Sequence, residues 1–95
     1  MARWSAPLPP RQLSERADMA AYLDAWLDEA PDDAAGIARA LGDVARARGM
    51  TRVARDTGLS RESLYKALSA DGNPSFATVL RVARALGLKL HAAVA

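Results

Sequence analysis

Apolar residues recur at helical spacing along most of the chain. Met19, Tyr22, Leu23, Trp26 and Leu27 fall at i, i+3, i+4, i+7 and i+8, one stripe of a helix, with Asp18 placed to cap it. The "APDD" run at 30–33 ends this helix and opens the next, because Pro31 precedes Asp32 and Asp33, acids favoured in a first turn. Ile37, Leu41, Val44 and Ala45 line the second helix. It runs to about Arg48, with Arg46 and Arg48 at its negative end and Gly49 as its stop. A short third helix over about 51–57 turns Val53 and Ala54 inward and breaks at Gly58. Ser60 caps a fourth, about Arg61 to Leu68, with Leu64, Ala67 and Leu68 inward. The turn formers of "ADGNP" follow. Ser75 then caps a fifth helix, in which Phe76, Val79, Leu80, Ala83 and Leu86 repeat at helical spacing up to Gly87.

The pattern changes at both ends. Residues 1–17 contain "APLPP", where each Pro removes a donor and restricts its predecessor, so they read as an irregular arm, either mobile or ordered by a partner. In "LKLHAAVA", Leu88, Leu90, Ala92 and Val94 alternate with Lys89, His91 and Ala93, the period of a strand. A lone strand cannot satisfy its backbone groups. This one needs a second copy, a partner's sheet edge or the N-terminal arm. The expected organisation is an arm over 1–17, a helical domain over 18–87 and a strand or tail over 88–95.

Composition narrows the function. The chain has 95 residues, enough for one small core. It has no cysteine, which removes disulfides and thiolate metal sites, and a single histidine, His91, too few for a zinc site. No apolar run is long enough to span a membrane and no signal peptide is apparent, so the expected location is the cytoplasm. The net charge of +2 hides an asymmetry. Residues 1–35 carry three bases and seven acids, net −4; residues 36–95 carry ten bases and four acids, net +6. An acidic part followed by a basic part suggests two partners of different kind, although chance surface composition gives the same numbers.

The stretch "TRVARDTGLSRESLYKALS", residues 51–69, meets the requirements of a helix-turn-helix. Ala54 is small where the helices come closest, Gly58 suits a turn residue with positive φ, and Leu59, Leu64 and Leu68 anchor the second helix. That leaves Arg61, Glu62, Tyr65 and Lys66 on one outward strip, since residues four apart share a face. Arg61 can pair with guanine O6 and N7. Glu62 can accept from cytosine N4 or hold Arg61. Tyr65 can touch a thymine methyl or a phosphate, and Lys66 suits a phosphate. Thr51 and Arg52 open the first helix of the pair, and Asn73 and Ser75 flank Pro74 where free backbone N–H groups favour an anion. The bland reading is two core helices with a solvated charged face.

The run "ALGDVARARGMTRVARDTGLSRESLYKALSADGNPSFATVLRVARALGLKL", about half the chain, resembles the addiction-module antidote proteins, lambda-repressor-like helix-turn-helix antitoxins of the HigA kind. The combination of "GLSRESLYKALS" and "GNPSFATVLRVARALGL" carries the resemblance, and "DMAAYLDAWLDEA" fits the family's first helix less tightly. With the helical pattern and the strand alternation, the expected fold is an all-α, five-helix lambda-repressor-like domain with a C-terminal β-strand, the strand pairing across a dimer. The resemblance implies a protein that binds double-stranded operator DNA, represses its own operon and neutralises a RelE-like (HigB-like) ribonuclease toxin. Ser60, Arg61, Glu62, Tyr65 and Lys66 would then belong to the recognition helix. The Pro-rich start departs from the short extended lead-in expected of the family.

Tyr22 and Trp26 sit on the apolar stripe and read as core. Trp4 reads equally as part of a disordered arm or as an anchor for a partner. Asp24, Asp28, Glu29, Asp32 and Asp33 form either solvated helix surface or a face for a basic toxin. Nothing resembles a catalytic constellation or a phosphate-binding Gly loop, so neither an enzyme nor a cofactor is expected. The competing functions are a phage-type transcriptional regulator without a toxin and a protein-interaction module that does not bind DNA.

Overall fold

A computed structural model describes Trp4 and residues 16–69 and 71–94. The described residues form five helices: α1 (Arg16–Glu29), α2 (Ala34–Arg48), α3 (Met50–Thr57), α4 (Arg61–Ala67) and α5 (Phe76–Ala85). The fold is all-α, with no strand among the described residues. Helix α1 packs on α2, and α3 is the hub, packing on α2, α4 and α5. One core joins Met19, Tyr22 and Trp26 of α1 to Leu41, Val44 and Ala45 of α2. Met50 and Val53, Leu64 and Leu68, and Val82 and Leu86 complete it.

Most helix boundaries follow from local chemistry. Asp33 accepts the Gly36 N–H at 2.8 Å and caps α2. Ser60 and Ser75 cap α4 and α5 as their sequence predicts. Helix α1 differs: it begins at Arg16, inside the expected arm, so Asp18 lies within its first turn and favours the dipole without capping. The rest of the arm lies outside the described residues except Trp4. Its half-buried ring meets Trp26 edge-on, with centroids 5.1 Å apart and planes at 84°.

Helix α2 is the most enclosed, and its glycines explain how its neighbours approach. A Cβ at Gly36 would collide with the Trp26 ring and the Asp33 carboxylate. One at Gly42 would stand 2.7 Å from the Leu68 carbonyl oxygen, so Gly42 admits the end of α4.

Three members of the apolar stripes, Leu27, Phe76 and Leu80, are not core. Leu27 is 46% exposed: it lies about 100° around α1 from Trp26, at the margin of the buried stripe. Phe76 is 70% and Leu80 44% exposed because the inward face of α5 is set by Val82 and Ala83, with Val79 half-buried against the core and Leu86 at the C-cap. The expected strand is also absent. Gly87, at φ 76°, ends α5, and Leu88 donates its N–H to the Ala83 carbonyl at 2.9 Å while packing on the core. Residues 89–94 are exposed, with no ladder partner among the described residues.

Candidate nucleic-acid interface

The unit formed by α3, its turn and α4 is tied by short-range bonds. Gly58 adopts the left-handed conformation at φ 76°, ψ 11°, and its N–H donates to the Ala54 carbonyl at 2.9 Å. The Thr57 hydroxyl reaches back to the Val53 carbonyl at 2.8 Å and accepts the Leu59 N–H at 3.2 Å, closing the turn from its other side. Ser60 Oγ then accepts the Ser63 N–H at 3.0 Å and donates to Ser63 Oγ at 2.8 Å. Leu64 and Leu68 are fully buried, which fixes the rotation of α4.

That rotation leaves Arg61, Glu62, Tyr65 and Lys66 on the solvent side, all exposed. The two ion pairs among the described residues, Asp43–Arg46 and Arg55–Asp56, involve none of the four. Thr51 and Arg52 are exposed in the first turn of α3, and Asn73 and Ser75 are exposed ahead of α5. The hydroxyls of Ser60 and Ser75 are occupied by capping; Ser75 Oγ accepts the Thr78 N–H at 3.1 Å and donates to Thr78 Oγ1 at 3.0 Å. Any anion at these two positions would therefore meet chiefly backbone N–H groups.

A bracing chain behind Tyr65 was not anticipated from sequence. The Tyr22 hydroxyl of α1 donates to Asp43 Oδ2 at 2.9 Å. Arg46 Nη1 donates to Asp43 Oδ1 at 3.3 Å. The Arg46 guanidinium carbon stands 5.9 Å from the Tyr65 ring centroid. The i, i+3 spacing of Asp43 and Arg46 on one helix was the available signal. Burial, followed by the bond to the Asp43 carboxylate, raises the Tyr22 phenol above its ordinary pKa.

Other chemistries find little support. Among the described residues, no group of three or more His, Cys, Asp or Glu is placed to hold a metal, and no helix is long and apolar enough to cross a membrane. The described residues thus form a small helical bundle with a braced, solvated polar strip. The family of the chain is shown by comparison. The family described as "Probable addiction module antidote protein" matches residues 9–94, and the chain belongs to it. It is also similar to a protein of Haemophilus influenzae described as uncharacterized, with 52% identity over 79 residues, covering 83% of this chain and 79% of that one. No solved structure matches. The chain is thus a probable antidote (antitoxin) of an addiction module, a non-enzymatic family, and an antidote implies a cognate toxin.

Proposed function

We propose that the chain is a cytoplasmic, DNA-binding antitoxin of a type II toxin–antitoxin module. It represses its own operon as a dimer and neutralises a RelE-like ribonuclease. The observation that carries the DNA reading is the solvated strip of Arg61, Glu62, Tyr65 and Lys66, held outward by the Gly58 turn and by buried Leu64 and Leu68. In this reading α3 and α4 are the helix-turn-helix of a lambda-repressor-like domain. Arg61 and Glu62 read base edges, and Tyr65 contacts a thymine methyl or phosphate. Lys66, Thr51, Arg52 and the N–H groups around Ser60, Asn73 and Ser75 grip phosphates.

Dimerisation is supported by exposed apolar side chains on α5 and the tail: Phe76, Leu80, Leu90 and Val94 are all exposed, and Leu80 and Leu90 line one surface hollow. Two copies would set their α4 helices about 34 Å apart on a pseudo-palindrome, and the tail could gain its strand partner there. The exposed acids Asp24, Asp28, Glu29, Asp32 and Asp33 support a toxin face, because a ribonuclease that binds RNA presents positive charge.

The test is a mobility shift with the DNA preceding the chain's own reading frame, repeated across salt. Specific retention that falls by orders of magnitude between about 50 and 200 mM salt is expected of several phosphate contacts. Weak binding that scarcely changes with salt would instead favour a protein-interaction module. Co-purification with the product of the adjacent reading frame tests the toxin assignment independently.

A further inference from the structure

We propose that Arg46 is a positioning residue for Tyr65, and that Asp43, pinned by Tyr22, holds Arg46 in that role. The inference rests on the DNA-binding reading of α4 and extends the interface to residues of α2 and α1.

Tyr65 is the aromatic member of the strip and is 41% exposed, so the core alone does not fix its ring. What stands against it is a cation, with the Arg46 guanidinium carbon 5.9 Å from the ring centroid, inside the reach of about 6 Å over which such pairs attract. Arginine is long and rotamer-rich, so an isolated arginine on a surface makes a poor brace. Here one bond holds it, and a missing side chain makes room for it. Asp43 Oδ1 accepts from Nη1 at 3.3 Å, and a Cβ at Gly42 would lie 3.2 Å from the same nitrogen, so the missing side chain gives the guanidinium room to lie along α2. Asp43 is in turn fixed through its other oxygen, which accepts from the Tyr22 hydroxyl at 2.9 Å, and Tyr22 is anchored in the core. Three helices thus converge on one ring. Their order is Tyr22 of α1, Asp43 and Arg46 of α2, and Tyr65 of α4. With Arg46 against it, the Tyr65 ring is held ready for its base or phosphate contact, and less side-chain freedom is lost on binding.

A double-mutant cycle on the full chain tests this, with duplex DNA selected by the wild-type protein from a random pool and affinity read by fluorescence anisotropy at fixed salt. Arg46→Ala is expected to weaken binding about fivefold in the wild-type background and less than about twofold in the Tyr65→Ala background. It is also expected to relax base preference at the same operator position as Tyr65→Ala, which loss of general stability would not do. Asp43→Asn should give a smaller loss with the same dependence on Tyr65. Circular dichroism checks folding, and Arg46→Met replaces Arg46→Ala if the latter unfolds. Equal losses in both backgrounds would mean that Arg46 meets DNA on its own account and would overturn the positioning role. No loss at all would overturn it too, leaving the α4 reading intact. Failure of the wild-type protein to select any duplex would remove the α4 reading and this inference together.

Discussion

Helices α4 and α5 start in the same way and present opposite surfaces. Each follows an extended serine whose Oγ accepts the N–H three residues on and pairs with that residue's hydroxyl, Ser63 in one case and Thr78 in the other. Beyond the cap they diverge. Helix α4 buries Leu64 and exposes Arg61, Glu62, Tyr65 and Lys66. Helix α5 buries Val82 and Ala83 towards its end and exposes Phe76 and Leu80. A polar strip loses little by remaining in water until a charged groove arrives. An apolar one is unfavourable in water and gains by being covered with protein. The caps set where each helix starts, and the exposed residues set what each helix can meet.

The contrast is tested most severely in the core. Leu64→Ala should destabilise the fold by about 2–5 kcal/mol, measured by urea unfolding, because Leu64 is fully buried beneath the strip. Gly42→Ala should cost about 1–3 kcal/mol by forcing α2 and the end of α4 apart, and should weaken DNA binding with it. The caps come next. Ser60→Ala and Ser75→Ala should each cost about 1 kcal/mol by thermal unfolding. If the two surfaces differ as proposed, Ser60→Ala should relax base preference beyond its effect on stability, whereas Ser75→Ala, which touches only a phosphate grip, should weaken all DNA sequences alike. Phe76→Ser with Leu80→Ser should change stability by less than about 0.5 kcal/mol yet shift the mass in solution from dimer towards monomer. An unchanged mass would assign dimerisation to another surface.

The smallest effect concerns Tyr22. The folded protein holds this phenolic proton more tightly than the unfolded chain does. Its contribution is therefore intact below the ordinary pKa of 10.0 and is lost as pH rises through the higher folded value. Melting temperature should fall as pH rises above about 10, and Tyr22→Phe should flatten that fall. An equally steep fall in the variant would show that Tyr22 does not control it.

What could be read from sequence was short in range. Gly58, the Ser60 cap and the inward Leu64 and Leu68 each follow from a few neighbouring residues, and the structure agrees at each. The core roles of Tyr22 and Trp26 follow from period alone. Period identifies a face but not what covers it, which is why Leu27, Phe76 and Leu80 lie outside the core. Alternation from Leu88 to Val94 identifies a side-chain rhythm, but a strand also needs an edge to pair with. The approach of Gly42 to Leu68 and the path from Tyr22 to Tyr65 join residues distant in sequence, so no local pattern contains them.

The most direct test of the central claim, that the α4 strip lies in a duplex, compares Arg61→Ala and Lys66→Ala on operator and non-operator DNA. Arg61→Ala should cost about 1–3 kcal/mol on the operator and relax preference at one base position. Lys66→Ala should weaken both DNAs alike and reduce the salt dependence by about one contact. Wild-type affinity and wild-type preference in the Arg61→Ala protein would contradict the account.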